Sequence, residues 1–551
     1  MIKKHIYIAI FLVIIFIVSL FMRISGNDFG LPHEFMADES SPHIISAVRV
    51  LQANNFIDLL KVNTGTYPRL YWYFLAIFFK IASVLNFPFN FPLTMADATE
   101  WYPMMVFIRA NAYAFFVVSR FSTAFFGALM PVVGFFLAVR LFSLKAGILT
   151  SVLTSFDFLL VKDGHYVYPD TIMALFVVLG CLFTVRYFDK KRIFDILLAS
   201  FFAGLSFAIK YNSFFIFLPI LLALVLKTDW KAGFGKILRF FLILIACLAI
   251  FLGIFIFSNP LIVTDLKTFI VEFRNVSLMY ASGMLGKTGP FGYHLFAYRW
   301  ASIYEPLNVN TLIYDMNTVA LIFGFVVAIY SFFARKMKVV LVSSLTILYY
   351  LFIDFQKIKE TRQVIILVPL LIVLCSGLAF DIVGNKRKLK TVLLSILIIS
   401  SLFTLGRSIY LDFLLNQKDT RIYAAEWIRE NIPAGSKIIL YGGETSGPPV
   451  NKPEYNREYY QYPYYNFNDA VKNDRAKPLN DFIDEGVQYM IFSSFDMGNH
   501  ICRSTQIYYP ETYKSYKEFY DSLDYEAELI YQTKLSKLFH PGPIIKIYKI
   551  D

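Results

Sequence analysis

Phe35-Met36-Ala37-Asp38-Glu39-Ser40-Ser41 sets two adjacent carboxylates a short way beyond the first apolar segment of the chain, and the side of a membrane on which they fall decides how the rest is arranged. The segment before them is a basic flank, Lys3-Lys4-His5, and a 17-residue apolar run, Ile6 to Met22, near the short end of what crosses a bilayer. No small-x-small cleavage site follows. Met22-Arg23-Ile24 stands there instead, so the run reads as a first span with its amino end inside rather than as a signal peptide. Asp38 and Glu39 then lie outside. Acidic side chains have no structural reason to crowd there, although Asp38, Ser40 and Ser41 would also cap an amphipathic helix from Pro42 to Asn55.

Composition agrees with a polytopic membrane protein: 551 residues, 57% hydrophobic, 18% aromatic and only 17% charged, with mean hydropathy +0.55. The 58 Phe and 36 Tyr suit lipid-facing helices and their interfacial belts. A net charge of +12 raises the question of nucleic acid, but the basic residues cluster in short runs between apolar segments and form no recognition motif. We expect no nucleic-acid partner. Cys181, Cys247 and Cys375 fall inside apolar runs and Cys502 stands apart, so no disulfide framework can be built.

Ten further spans are predicted at about 121–141, 146–161, 171–188, 195–209, 213–226, 237–257, 314–333, 339–354, 363–381 and 391–411, about eleven in all. The region 23–119 is too polar and too Pro-punctuated for a plain hairpin of spans. Within it Leu70 to Leu85 is apolar but short, and Lys80 interrupts it. If it does not cross, Arg140/Lys145, Lys190-Lys191-Arg192, Lys227 to Arg239, Arg335-Lys336-Lys338 and Lys386-Arg387-Lys388-Lys390 all fall inside; as a lone extra span it would put all five outside. It is therefore a juxtamembrane helix, or half of a pair with Met104 to Val118 that makes thirteen spans. The same parity puts Lys162 to Asp170, Ser258 to Asp315, Gln356 to Arg362 and the tail on the outer side.

The tail, 412–551, is charged and Tyr-rich. Thr420 to Asn431 reads as an amphipathic helix stopped by Ile432-Pro433-Ala434-Gly435, and Lys437 to Tyr441, Gly486 to Ser493 and Ile544 to Tyr548 read as strands. A membrane domain, 1–411, including the outer loop 23–119, thus carries a small extracytoplasmic α/β domain. Tyr455 to Tyr465 offers flat faces on which sugars or a protein could stack.

An acidic pair in a large first outer loop, followed by Val161-Lys162-Asp163-Gly164-His165-Tyr166-Val167-Tyr168-Pro169-Asp170 leading into a span, resembles the GT-C glycosyltransferases of the protein O-mannosyltransferase and lipid A aminoarabinose transferase type. Gly204 to Tyr211, Asn259-Pro260, Lys357-Ile358-Lys359-Glu360-Thr361-Arg362 before a span containing Pro369, and Tyr423-Ala424-Ala425-Glu426-Trp427-Ile428 extend the likeness along nearly the whole chain. The resemblance implies transfer of a sugar from a polyprenyl-phosphate carrier, undecaprenyl or dolichyl, to a lipid, glycan or protein acceptor at the outer face, with inversion. The motif Trp-Trp-Asp-Tyr-Gly expected of the related oligosaccharyltransferases is absent from the tail, so block transfer of an oligosaccharide to Asn is not expected.

Chemistry asks for the same parts. A hydroxyl is a poor nucleophile near neutral pH and needs a carboxylate to take its proton, for which Asp38 is the candidate, with Glu39 orienting the acceptor or tuning the pair. The leaving phosphate needs fixed cations: Arg362, Lys359, Lys210 and Arg69. His165 and Asp170 complete the expected substrate-binding set. Each has a plainer role open to it: Asp170 as a helix N-cap, His165 as a solvated loop residue, Lys210 as a snorkelling lysine. No obligatory metal is expected, since Asp38, Glu39, His165 and Asp170 have no diagnostic ligand spacing, although the resemblance leaves a divalent ion open. The rival class is a lipid or sugar transporter; it lacks support, because no inverted repeat is visible and the candidate charges gather at the outer ends of spans. A receptor or scaffold would leave those charges without a role.

Overall fold

Apolar runs of this length can satisfy their backbone in lipid only as helices, and the described residues up to Leu415 fold into a bundle of them. The structure, a computed structural model, describes residues 2–36, 38–53, 68–86, 101–296, 318–384, 386–441, 445–450, 456–460, 475–533 and 540–550. His5–Ile24, Ala112–Leu141, Asp170–Lys190, Phe234–Ser258, Met337–Phe355 and the apolar part of Arg387–Asn431 are each long enough to span, and Leu144–Phe156 with Phe158–His165 does so as a bent pair. Ile193–Ile209, Tyr211–Lys227, Val319–Phe333 and Leu367–Ile382 are apolar but shorter. The protein is a multi-pass membrane protein. Asp170–Lys190 is central, with 78% of its apolar window buried, whereas His5–Ile24, at 17%, faces lipid. Lipid offers no hydrophobic force between helices, so close approach relies on small residues. A Cβ on Gly324 would meet the Leu371 carbonyl oxygen at 2.5 Å.

Two expectations change. The run 146–161 is not straight: it bends by 55° at Asp157, whose carboxylate leaves the helix to accept a hydrogen bond from the Leu160 N–H at 3.3 Å and start a new one. Met104 to Val118 is not one continuous helix. Trp101–Ala110 stops at Asn111, and Ala112–Leu141 is one 30-residue helix, about 45 Å long at 1.5 Å per residue. Leu70–Val84 lies beside one end of it, with Tyr71 against Thr123, Phe78 against Phe121 and Phe125, and Phe79 against Phe115. These contacts lie between 115 and 126, far from Arg140. The short helix therefore packs along that end of the long one. The expected helix after the acidic pair begins as a π-type turn, Glu39–Ile44, and continues to Gln52, with Asn54 and Asn55 outside the described residues.

Charges sort by end. Ser143 donates to Asp381 at 2.9 Å, and Lys338 reaches the Arg140 carbonyl at 2.6 Å and Asp189 at 2.9 Å, drawing the expected inner runs together. The loops expected outside meet at the opposite end, where the tail docks.

In the tail the helix Thr420–Asn431 leads into β1 (Lys437–Tyr441), β2 (Asn456–Tyr460), β3 (Tyr489–Ser493), β4 (Glu528–Gln532) and β5 (Ile545–Lys549), in sheet order β2-β1-β3-β5-β4. β1 pairs parallel with β2 and β3; β5 pairs antiparallel with β3 and β4. The central strands are covered on both faces, which is why Ile438-Ile439-Leu440 reads as an unbroken apolar run. Ile439, Tyr441, Met490 and Phe492 pack on Tyr516, Phe519 and Leu523 of Pro510–Glu526, while Ile438, Leu440, Ile491 and Ile547 pack on Ala424, Ala425 and Ile428. The side chains of Tyr455 to Tyr465 lie outside the described residues.

Candidate active site

An arginine in the apolar length of a long helix must find a partner. Arg120 is 1% exposed and finds Glu39: Nε donates to Oε1 at 3.0 Å and Nη2 to Oε2 at 2.7 Å, while Nη1 donates to the Phe29 carbonyl at 2.8 Å. Glu39 also accepts the Val167 N–H at 3.0 Å and is fully buried. This carboxylate ties the first loop, the long helix and the 161–170 loop together. Its expected place beside an acceptor is not where it lies; both oxygens face inward.

Asp38 is its opposite. Its backbone sits at φ +71°, a left-handed conformation that costs a side-chain-bearing residue about 1 kcal/mol and that Asp tolerates better than most. The turn aims its carboxylate outward, 42% exposed, with Oδ2 3.4 Å from Arg362 Nη1. Arg362 in turn donates from Nε to Glu360 at 2.7 Å and lies 5.2 Å over the Tyr168 ring. Burial opposes charge on Glu360, but Arg362 and Lys287 outweigh it and hold that carboxyl well below the usual range.

Lys210 donates to Asp170 at 2.8 Å, the first residue of the Asp170–Lys190 helix. Arg362 over Tyr168 and Lys210 on Asp170 thus both stand at the 168–170 turn, and Arg362 reaches Asp38 from there. Arg69, also buried, lies near Tyr73, Glu272 and Tyr211, the residue after Lys210. The remaining two expected residues turn away. Lys359, expected at the phosphate, is buried, donates to the Asp354 carbonyl at 2.6 Å and sits 3.5 Å from that carboxylate. His165, expected at the substrate, is 2% exposed, with Nδ1 2.9 Å from the Val161 carbonyl and Nε2 3.2 Å from Asp412, fastening its loop to the last membrane helix. The four residues considered as metal ligands do not converge, and among the described residues no group of three His, Cys, Asp or Glu side chains fits an ion.

Sequence reasoning missed two contributors. Arg120 carried a signal, a lone charge inside an apolar run. Arg421, on the amphipathic helix Thr420–Asn431, was not singled out, yet it is buried: it pairs with Asp419 at 2.7 Å, donates to the Phe35 carbonyl at 3.2 Å and stacks 3.8 Å over the Phe35 ring.

Residues 102–257 match the family model of dolichyl-phosphate-mannose-protein mannosyltransferase. No curated protein matches the chain by sequence. Among solved structures, the Archaeoglobus fulgidus oligosaccharyltransferase tethered with an acceptor peptide aligns with a TM-score of 0.51 over 94% of this chain and 72% of that one, at 13% identity. ArnT from Cupriavidus metallidurans, bound to undecaprenyl phosphate, aligns over 98% of each chain at 12% identity, with a TM-score of 0.48. The chain has the GT-C glycosyltransferase fold. The region that matches the mannosyltransferase family model, 102–257, holds Arg120, the 161–170 loop and Lys210.

Proposed function

We propose that this GT-C protein is an inverting glycosyltransferase that moves a single sugar from a polyprenyl-phosphate carrier to an acceptor hydroxyl on the outer membrane face. The observation that carries the reading is the division of the acidic pair: Glu39 is buried and fully bonded, while Asp38 is held in a left-handed turn with its carboxylate accessible beside Arg362. The carrier phosphate would enter between Arg362 and Lys210 and take over Arg362, whose contact with Asp38 is long, at 3.4 Å. That exchange frees the Asp38 carboxylate. The acceptor oxygen then attacks C1 from the face opposite the phosphate, the C1–O bond breaks with its electron pair leaving on the phosphate, and the hydroxyl proton passes to Asp38. Glu39 and Arg120 act as positioning residues.

The family signature supports a lipid-phosphate-linked hexose or pentose donor, and the placement of all these groups at one end of the bundle supports chemistry at a membrane face. The test is transfer in liposomes from a labelled set of polyprenyl-phosphate sugars to lipid, glycan and peptide acceptors, with the anomeric configuration of the product read by NMR. Transfer with inversion is expected. Movement of intact lipid-linked sugar across the bilayer without transfer would favour the transporter instead.

A further inference from the structure

Leu266–Ser282 is a helix of 17 residues that follows the span Phe234–Ser258 through the single helical turn Leu261–Thr264, and none of its residues is buried. Contacts at its two halves fix how it lies. Near its start Phe269 meets Phe255, close to the end of that span, at 6.3 Å, and Phe269 and Phe273 meet Tyr211 at 6.4 and 5.1 Å. Toward its far end the Tyr280 carbonyl accepts the Lys357 N–H at 2.9 Å, just beyond the span Met337–Phe355. The helix is thus tied to the ends of two different spans, at the end of the bundle that carries Lys210 and Asp38. It lies across that end, covering about 16 Å between Phe269 and Tyr280 at 1.5 Å per residue.

Its side chains sort by quarter turns. Phe269, Glu272, Val276 and Met279, spaced three and four apart, are half-buried against the protein. A quarter turn away Leu266, Ile270 and Phe273 form an apolar stripe, 52%, 55% and 43% exposed. Asn275 stands half a turn from the stripe, and Lys267 and Arg274 lie between, all exposed. Val271 and Leu278 are exposed among them as single apolar side chains, which is ordinary; a contiguous stripe is not. Before it in the chain Phe257 and Val263 are exposed as well, leading back to the Phe234–Ser258 span, which faces lipid with only 22% of its apolar window buried. At the other anchor Phe355 and Phe291 are exposed with rings 5.2 Å apart. An apolar stripe, a basic flank and a polar back are the pattern of a helix that lies flat in a membrane interface.

We propose that Leu266–Ser282 rests on the bilayer at the site end of the bundle, with Leu266, Ile270 and Phe273 among the acyl chains of that leaflet and Lys267 and Arg274 at headgroup level. Its partner is the phospholipid itself, because the stripe continues the surface by which the bundle already meets lipid. Tyr211, packed on this helix, directly follows Lys210. Under the function proposed above, the helix then holds Lys210 at the depth where a lipid phosphate lies; the membrane contact stands without that function.

Spin labels test the contact in the full chain in phospholipid nanodiscs. The four native cysteines are buried, so Leu266→Cys, Ile270→Cys and Asn275→Cys can each carry one nitroxide, with wild type as the labelling blank. Thermal unfolding checks that each is folded, and either apolar position suffices if the other variant does not fold. Oxygen concentrates among acyl chains, whereas a nickel chelate stays in water. Labels at Leu266 and Ile270 are expected to relax more with oxygen than with the chelate, at a depth of about 5–10 Å, and the label at Asn275 to do the reverse. Chelate access at all three positions overturns the contact, since the stripe would then face water. Protection of Leu266 and Ile270 from both reagents overturns it too, since a protein surface would then cover the stripe. Either result leaves the proposed sugar transfer standing, because the labels report no activity.

Discussion

Glu39 and Asp38 are neighbours in sequence with opposite surroundings, and matched amide substitutions should separate them. Glu39→Gln leaves Arg120 as a buried, uncompensated charge, which typically costs about 3–5 kcal/mol; thermal unfolding in detergent should register it as a large drop in midpoint. Asp38→Asn sits at a half-exposed position whose left-handed backbone Asn also tolerates, so stability should change by no more than about 0.5 kcal/mol. An Asp38→Asn variant that unfolds at a lower temperature than Glu39→Gln would contradict this division. The pair itself was legible in the sequence. Which member is buried was not, because that depends on Arg120, 81 residues away.

The helix Ser494–Ile501 carries Asp496 and His500, and their opposite shifts make a prediction about the outer domain as an element. Burial pushes Asp496 up to about 7, against Ser446 and Arg421, and pushes His500 down to about 3. Between about pH 4 and 7 folded Asp496 keeps a proton that the unfolded chain has lost, so its contribution falls as pH rises, by about 1.4 kcal/mol per unit. Between about pH 3 and 6.5 the unfolded chain holds a proton that folded His500 refuses, so that contribution rises at the same slope. The two oppose each other over about pH 4–6.5, and stability there should be nearly flat in wild type. In Asp496→Asn it should climb with pH, and in His500→Gln it should fall, as read by amide exchange of Tyr489–Ser493. A slope unchanged by either substitution contradicts the assignment. At this scale the sequence was informative where periodicity persists to a strong stop, as in Thr420–Asn431 before Pro433. It was silent where one residue acts, as Asp157 does in bending an apolar run.

Across the whole molecule, Arg421 joins the outer domain to the acidic loop, three residues upstream of Asp38, and we propose that the domain thereby forms part of the site rather than a lid. The expected boundary, 411/412, falls inside the helix Arg387–Leu415, so that Asp412, against His165, lies on the last membrane helix. Arg421→Ala strips Asp419 of its cation and should lower transfer at least tenfold, by our estimate, as the loop loosens, while circular dichroism still reports the sheet. Unaltered transfer would reduce the domain to a cap. Orientation has its own check: the four native cysteines are buried, so an impermeant thiol reagent on intact cells should label Tyr525→Cys and spare Arg387→Cys. The reverse pattern would invert the topology. That the basic runs gather at one end was legible because charge orients spans; the clamp was not, because an arginine buried between two domains has the same sequence pattern as one in water. The most direct measurement is single-turnover transfer by wild type and Asp38→Asn from a bound polyprenyl-phosphate sugar. The account predicts that the variant binds the carrier as wild type does and transfers about 100- to 10,000-fold more slowly, the span of general-base catalysis. Transfer at the wild-type rate would contradict it.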